Sequence, residues 1–519
     1  MSRMFNRGMI PLRPAMNSLD RAPRAGRWVL MFGAAALLGL AGCASRPVNP
    51  PITQARADSG YTYQARQKDF RNQQNLVILA FSGGGTRAAA FSYGVLEYLR
   101  RTEVVAPNGS RMRLLDGVDI ITGVSGGSFT ALAYGLYGEK LFSDYEQRFL
   151  KRDVQGELIA RSFNPGNWGK LSSTGWGRSE LAAELYDEIL FDGATFGDLN
   201  RKPGPFVIAS ATDISSGARV SFHQGIFNLF CSDLDAVKLS RAAAASSAVP
   251  VVLSPVTFNN YGGTCGDSMP PWMSRFTETD NPPRPASRVI RELHDAAKYT
   301  DSVNHPYIHL VDGGVSDNLG MRGVLGALSF IEAQHDAGLP SPLDHVRRII
   351  VIVVNSLSSP PTLWDESERA PGTAEVLLKS AGLPIDHYSF EAVETLKDTA
   401  ARWQELRKVR ELAQCPAQQD SPVCRAVRAP QAEIYAIDVS FAALKDKDRA
   451  EFDYLNSQPT TFVLPAEAVD RLRSAAGKII AASPEFQRLL KDSGVKVVEA
   501  VAEGAAAPAV STTPEAAAR

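Results

Sequence analysis

The chain has 519 residues, of which 44% are hydrophobic and 21% are charged, and its formal net charge at pH 7 is −1. This length and composition are sufficient for one large globular core or two domains. The balanced charge provides no strongly basic surface, so we expect no nucleic-acid partner.

The first 42 residues have the pattern of a signal peptide, in which a basic region precedes a short apolar run. Three arginines, Arg21, Arg24 and Arg27, stand directly before the apolar run. The apolar run, residues 28–40, is too short to span a bilayer comfortably. It ends in Leu-Ala-Gly-Cys at 40–43, which resembles a bacterial lipobox, so we predict lipidation of Cys43 and stable attachment to a membrane. A plain signal peptide and an uncleaved anchor are the alternatives.

Ala44 and Ser45 directly follow Cys43, with no Asp in either position, and this resembles lipoproteins sorted to the outer membrane. We therefore expect a lipid-anchored protein of the bacterial cell envelope, in the outer membrane. That compartment is oxidising. Four other cysteines remain, at 231, 265, 415 and 424, and they allow three pairings. The short-range pairs Cys231–Cys265 and Cys415–Cys424 are favoured, with buried free thiols as the alternative.

The chain then alternates between strand and helix patterns. Residues 44–75 are polar and contain three prolines, which is typical of a tether. A continuous apolar run at 76–81 predicts a buried parallel strand. Further strands are predicted at 118–122, 206–210, 307–311 and 349–354, with helices at 88–101 and 128–137. This alternation predicts an α/β fold with a mainly parallel sheet.

The remaining segments complete the predicted organisation. Residues 258–300 predict an irregular insertion, residues 360–429 and 464–490 predict helices, and 434–439 predicts a late strand. Residues 501–519 are mostly Ala, Pro, Thr and Glu, which predicts disorder. We divide the chain into a signal peptide (1–42), a tether (43–75), a catalytic domain (76–358), a mostly helical extension (359–500) and a disordered tail (501–519).

Two glycine-rich segments carry the chemistry. Ser-Gly-Gly-Gly-Thr-Arg at 82–87 follows the first strand and opens a helix, so its backbone N–H groups can face a developing anion. Gly-Val-Ser-Gly-Gly at 123–127 places Ser125 on a tight strand-to-helix turn. Together they predict an oxyanion hole and a nucleophile. The first segment also fits a relaxed dinucleotide-binding pattern, but an exported protein would not meet soluble NAD.

A third segment supplies the candidate base. None of the seven histidines has a local signature, and His309 falls within a predicted strand, which favours a structural role. Asp312-Gly313-Gly314 follows the predicted strand 307–311, at a carboxyl end where open α/β sheets place their sites. The alternative is an ordinary surface Asp-Gly turn.

Taken in order, the segments at 83–87, 123–127 and 312–314 resemble the three signatures of the patatin-like phospholipases. Two lesser segments, at 211–217 and 245–255, resemble the same family, and the resemblance extends from about Leu76 to Ser356. It implies a patatin-like sandwich, with a mainly parallel central sheet between helices. It also implies hydrolysis of phospholipid or other lipid esters.

The resemblance implies a Ser-Asp dyad in which Ser125 is the nucleophile and Asp312 is the base. It also implies an oxyanion hole made by the backbone N–H groups of three glycines, Gly83, Gly84 and Gly85. An ordinary Asp pKa is about 3.9, so Asp312 needs a dry site to act at neutral pH. Arg87 either binds a substrate phosphate or supports the glycine loop.

The resemblance implies no cofactor, and zinc-ligand spacing is absent from the sequence, so no metal is expected. The expected partners are the lipid substrate and, through the anchor, the membrane; the sequence indicates no particular protein partner. Two other functions remain open. The same dyad can transfer an acyl group to an alcohol, and an envelope lipoprotein can keep this fold as a non-catalytic module.

Overall fold

The computed structural model describes residues 45–499 apart from 57–58, 71–73, 174–175, 251, 267–286, 337–340, 342, 361, 363, 416–420, 422 and 425–429. The predicted signal peptide, the lipidation residue Cys43 and the predicted tail 501–519 therefore lie outside the described residues, as does much of the predicted insertion at 258–300.

The described strands are β1 (Asn75–Phe81), β2 (Thr102–Val105), β3 (Arg111–Arg113), β4 (Ile120–Val124), β5 (Phe206–Asp213), β6 (Arg219–Ser221), β7 (Val256–Asn259), β8 (Tyr307–Asp312), β9 (Arg348–Asn355), β10 (Glu433–Ser440) and β11 (Lys496–Glu499). The described α-helices are α1 (Tyr63–Gln67), α2 (Gly85–Arg101), α3 (Gly126–Tyr137), α4 (Leu141–Tyr145), α5 (Val154–Phe163), α6 (Pro165–Leu171), α7 (Arg178–Tyr186), α8 (Phe196–Asn200), α9 (Gln224–Leu229), α10 (Leu239–Ser246), α11 (Ser287–Tyr299), α12 (Gly314–Asp317), α13 (Arg322–Asp336), α14 (Thr373–Leu412), α15 (Arg449–Asn456), α16 (Ala466–Ala481) and α17 (Pro484–Asp492).

The central sheet has the strand order β10-β9-β1-β4-β5-β8-β7, with β6 also paired to β5. Strands β10, β9, β1, β4 and β5 are parallel neighbours, whereas β8 and β6 run antiparallel to β5 and β7 runs antiparallel to β8. The predicted α/β fold with a mainly parallel sheet is confirmed, and its antiparallel strands lie on one side of β5. A small second sheet has the order β11-β2-β3.

Helices cover both faces of the central sheet, as the continuous apolar runs require. Successive residues of β1 alternate between two core clusters: Leu79 and Phe81 join one, and Ile78 and Ala80 join the other. The first cluster includes Phe91 of α2 and many residues of α3, α10 and α16. The second includes Trp403 of α14 and residues of α13.

The region after residue 359 shares the central sheet and core. Strand β10, predicted at 434–439, pairs with β9 over eight residues. Helix α16 packs against α2 so closely that a Cβ on Gly94 would lie 2.4 Å from the carbonyl oxygen of Arg473. The guanidinium of Arg473 also forms an ion pair with Glu97 at 2.8 Å. The helical C-terminal region is therefore continuous with the layers around the central sheet.

Much of the predicted tether also packs against the fold. The Arg46 guanidinium donates to the carbonyl oxygen of Thr257 at 3.0 Å. The backbone N–H of Ile52 donates to the carbonyl oxygen of Cys231 at 2.9 Å. Tyr61 is fully buried, and its hydroxyl oxygen accepts the backbone N–H of Val207 at 2.7 Å. These contacts place Arg46, Ile52 and Tyr61 against the domain, so this part of the predicted tether is not free of it.

Two disulfides, Cys231–Cys265 and Cys415–Cys424, link the cysteines of the described chain. The short-range pairing that the sequence favours is therefore confirmed. Within the described ranges, no helix is both long enough and apolar enough to cross a membrane.

Candidate active site

The nucleophile candidate lies on a strained turn between β4 and α3. Ser125 has φ +48° and ψ −121°, a conformation that costs a non-glycine residue about 1–3 kcal/mol. The turn is pressed against the glycine-rich segment at 82–87, because a Cβ on Gly126 would lie 2.0 Å from the carbonyl oxygen of Gly85. A Cβ on Gly127 would lie 2.6 Å from that of Ser82. Both glycines are therefore required by close backbone packing.

Strand β5 brings Asp312 to the nucleophile turn. Val124, which precedes Ser125, pairs with Ser210 of β5, and Asp312 pairs with the next residue of β5, Ala211. The Ser125 hydroxyl donates a hydrogen bond to Asp312 Oδ2 at 2.8 Å. Asp312 is the last residue of β8, as the sequence suggests. The reason given there for a site, the shared carboxyl ends of parallel strands, is wrong, because β8 runs antiparallel to β5.

The Asp312 carboxyl is buried in a polar cradle. Its Oδ1 accepts the backbone N–H of Gly314 at 2.7 Å, and its backbone carbonyl accepts the Thr212 hydroxyl at 2.9 Å. Burial raises the pKa of Asp312 to about 6, partly offset by the hydrogen bonds from Gly314 and Ser125. The carboxyl is therefore ionised at neutral pH and more basic than an ordinary Asp.

Among the described hydrogen bonds, none joins a histidine to Ser125 or Asp312. His309 Nδ1 lies 3.0 Å from the Thr257 hydroxyl, which agrees with a structural role. Burial lowers the pKa of His223 to about 4, helped by the charge of Arg219. In the part of the chain that the structure describes, no group of three or more His, Cys, Asp or Glu side chains could hold a metal ion.

The glycine loop, residues 83–85, lies beside the nucleophile: a Cβ on Gly83 would be 3.3 Å from Ser125 Cβ. The backbone N–H of Gly83 already donates to the carbonyl oxygen of Asn318 at 2.8 Å. The N–H groups of Gly84 and Gly85, at the start of α2, have no acceptor among the described residues. Of the three glycine N–H groups that the sequence suggests as oxyanion donors, those of Gly84 and Gly85 therefore stay available, and they lie at the positive end of the α2 dipole.

The Arg87 guanidinium binds protein oxygens. Its Nε donates to the carbonyl oxygen of Ser356 at 2.8 Å, its Nη1 to that of Gln458 at 2.6 Å and its Nη2 to the Thr460 hydroxyl at 3.1 Å. Burial lowers the pKa of Arg87 to about 10. Of the two roles that the sequence leaves open, these contacts favour support of the glycine loop over binding of a substrate phosphate.

Two residues near the dyad were given no role by the sequence. Ser246 lies in the segment 245–255, and its hydroxyl oxygen accepts the backbone N–H of Ser125 at 2.9 Å. The carbonyl oxygen of Asn318 accepts the backbone N–H of Gly83. The sequence signal for this role is only that Asn318 lies six residues after Asp312.

Asp213, at the end of β5, has a structural role. It accepts hydrogen bonds from Ser215 and Ser216, so it stabilises the turn after β5.

Residues 79–325 match the model of the patatin-like phospholipase family. This part of the chain is a patatin-like phospholipase domain. Phospholipases are lipid acyl hydrolases, and the match supports this enzyme class. No curated protein sequence matches the chain.

Several solved structures resemble this chain at low sequence identity. Human GIVD cytosolic phospholipase A2 is 12% identical, with a TM-score of 0.38, and the match covers 83% of this chain and 62% of that one. VipD from Legionella pneumophila is 11% identical, with a TM-score of 0.29 and coverages of 89% and 75%. The type III effector protein ExoU is 14% identical, with a TM-score of 0.20 and coverages of 81% and 75%.

The raised pKa of Asp312 predicts that this residue destabilises the fold at neutral pH. The folded pKa is about 6 against an ordinary value of 3.8, so ionisation costs stability above pH 6. As the pH falls from about 6 to about 4, the folded state takes up the proton first and the cost disappears. We expect Asp312→Asn to be more stable than the wild type at pH 8, with a difference that vanishes near pH 4.

Urea denaturation of both proteins between pH 4 and pH 8 measures this difference. Asp301→Asn is the matched control, because hydrogen bonds from Asn304 lower the pKa of Asp301 and predict the opposite sign. Equal stability of Asp312→Asn and the wild type at pH 8 would contradict the assigned pKa.

Proposed function

We propose that this protein is a serine acyl hydrolase that cleaves membrane phospholipids or other lipid esters through a Ser125–Asp312 dyad. The observation that carries the proposal is the 2.8 Å hydrogen bond from a serine on a strained turn to a buried carboxyl whose pKa is raised to about 6. The patatin-like phospholipase domain over residues 79–325 supports the lipid class of the substrate.

In the first half of the reaction, the Ser125 oxygen attacks the ester carbonyl carbon while its proton passes to Asp312 Oδ2. The carbonyl π electrons move to the substrate oxygen. The N–H groups of Gly84 and Gly85 are the proposed donors to this oxyanion. When the tetrahedral intermediate collapses, the ester C–O bond breaks and the leaving alcohol takes the proton from Asp312.

In the second half, water attacks the acyl-serine carbonyl carbon and gives a proton to Asp312. Collapse of this second intermediate breaks the bond to Ser125, releases the fatty acid and returns the proton to the serine oxygen. Asp312 thus alternates between base and acid, a role that suits a carboxyl with a pKa close to the working pH.

Two exposed apolar side chains, each within four residues of a residue that binds Asp312, support a lipid substrate. Val315 follows Gly314, which binds Asp312 Oδ1, and 44% of its surface is exposed. Val252 is 59% exposed and lies four residues after Ala248, whose carbonyl oxygen accepts the backbone N–H of Asp312 at 3.0 Å. Such side chains can contact the acyl chain of a substrate.

We further propose that the protein is lipid-anchored at Cys43 in the outer membrane of a bacterial envelope. The lipobox-like sequence at 40–43 supports the anchor, and the two disulfides agree with an oxidising compartment. The described chain is packed against the domain from Arg46 onward, so an acyl group on Cys43 would hold the domain close to the membrane surface.

The dyad predicts that Ser125→Ala and Asp312→Asn each lower kcat at least about 1,000-fold, because each removes a group that acts in the same step. The double variant should lose no more than either single variant. Release of fatty acid from phospholipid vesicles measures the activity, and labelling with a fluorophosphonate reports Ser125 directly. His309→Gln and His223→Gln are the controls and should keep measurable activity. A folded histidine variant as inactive as Ser125→Ala would indicate a triad instead.

The proposed base also predicts the pH dependence. Asp312 must be ionised to accept the serine proton, so kcat/KM should fall as the pH drops through about 6. A soluble short-chain ester is the substrate of choice, since its use avoids pH effects on lipid packing. Asp312→Glu should shift or weaken this acid limb, whereas the two histidine variants should leave it in place. A limb that disappears in one histidine variant and persists in Asp312→Glu would exclude Asp312 as the base.

The anchor predicts that Cys43→Ser releases the protein from membranes or leaves an uncleaved precursor. Membrane fractionation of expressing bacteria, with mass spectrometry of the N-terminus, measures both outcomes. Ser125→Ala is the control, because loss of activity alone should not change the fractionation. Unchanged processing and membrane association of Cys43→Ser would refute lipidation without affecting the proposed hydrolysis.

A further inference from the structure

Ser246 is the last residue of α10 and is fully buried. Its hydroxyl oxygen accepts the backbone N–H of Ser125 at 2.9 Å, and its hydroxyl hydrogen is donated to the carbonyl oxygen of Ser210 at 2.7 Å. A carbonyl can only accept, so the direction of both bonds is fixed. The result is a short polar chain from the nucleophile turn, through Ser246, to strand β5.

The backbone at the end of α10 binds the opposite half of the dyad. The carbonyl oxygen of Ser246 accepts the N–H of Gly313 at 3.0 Å, and that of Ala248 accepts the N–H of Asp312 at 3.0 Å. Carbonyls at a helix C-terminus have no partner within their helix, so they are available for such contacts. One short segment therefore holds the turn of Ser125 by a side chain and the turn of Asp312 by its backbone.

The two attachments respond differently to substitution. Removal of the Ser246 hydroxyl frees the Ser125 turn, whereas the backbone contacts to the Asp312 turn stay in place. The Ser125 N–H and the Ser210 carbonyl would both be left buried without this partner, a costly arrangement in a dry site. Because Ser125 is held at a positive φ, loss of this bond favours relaxation of its turn away from Asp312.

We propose that Ser246 is a positioning residue, which holds Ser125 in its strained conformation and in register with Asp312. This inference rests on the proposed hydrolysis. The described hydrogen bonds of Ser246 reach the backbones of Ser125, Ser210 and Gly313, and none reaches the Ser125 hydroxyl or the Asp312 carboxyl. We therefore expect its effect in the chemical step and not in substrate binding. A misplacement of reacting groups by about 1 Å costs on the order of 100-fold in rate.

The test compares Ser246→Ala with the wild type on a soluble short-chain ester and with a fluorophosphonate. We expect kcat to fall about 100-fold, KM to change less than about threefold, and the rate of fluorophosphonate labelling to fall in parallel with kcat. Thermal unfolding of each sample establishes the folded fraction. A role in stability alone would lower activity only in proportion to that fraction.

Ser240→Ala is the matched control, because Ser240 is a buried serine of the same helix, about 9 Å along the axis from Ser246. It should keep kcat within about twofold of the wild type. Ser246→Cys is the second variant and replaces the hydroxyl by a weaker hydrogen-bonding group of similar shape. It should fall between Ser246→Ala and the wild type, and it provides the test if Ser246→Ala does not fold.

Three results would overturn the positioning role: wild-type kcat in folded Ser246→Ala, a rise in KM at unchanged kcat, or wild-type kcat in Ser246→Cys when Ser246→Ala cannot be purified. Ser125→Ala, assayed alongside, separates this inference from the proposed function. If Ser125→Ala is active, the proposed hydrolysis by the dyad fails. If Ser125→Ala is inactive and Ser246→Ala behaves as the wild type, only the positioning inference fails.

Discussion

The register of strand β5 with its two neighbours is the constraint on which the site depends. Ser125 and Asp312 are 187 residues apart, yet their contact follows from adjacent pairings on β5, through Ser210 on one side and Ala211 on the other. A slip of one residue would displace either group by about 3.3 Å and turn it to the opposite face. The register of the sheet therefore sets the 2.8 Å contact between Ser125 and Asp312. The buried apolar residues of β5 in turn hold that register.

The burial that makes Asp312, the proposed base, more basic than an ordinary Asp also favours its protonated form. Removal of the Asp312 carboxyl from water raises its pKa, whereas the N–H of Gly314 and the hydroxyl of Ser125 stabilise the charged form and lower it. With desolvation alone the carboxyl would tend towards the protonated form, and with the hydrogen bonds alone it would be a weak base. The balance near pH 6 leaves it ionised and basic at neutral pH. Functional sites commonly keep such a group at a cost in stability.

Local chemistry made most strands predictable, and with them the positions of Ser125 on a strand-to-helix turn and of Asp312 at a strand end, because short apolar runs and the glycines beside them indicate these elements strongly. The orientation of β8 relative to β5 was not predictable, since the same apolar pattern fits a parallel and an antiparallel strand. Nor was the partner of the Gly83 N–H, because the Asn318 carbonyl reaches it only in the folded chain. The same holds for Arg87, whose sequence context fits two roles until Gln458, 371 residues away, accepts its Nη1.

Support of the glycine loop comes from two parts of the chain that are distant in sequence. Within the patatin-like domain, Asn318 holds Gly83. Beyond it, the Thr461 carbonyl accepts the N–H of Thr86 at 2.8 Å, and Phe462 packs on Phe129 of α3 with ring centroids 5.6 Å apart. Both flanking N–H groups of the loop thus have partners, which leaves those of Gly84 and Gly85 between them for a ligand. The chain beyond residue 325 is therefore structurally part of the site, because its Thr461 carbonyl binds the N–H of Thr86, one of the two N–H groups on either side of Gly84 and Gly85.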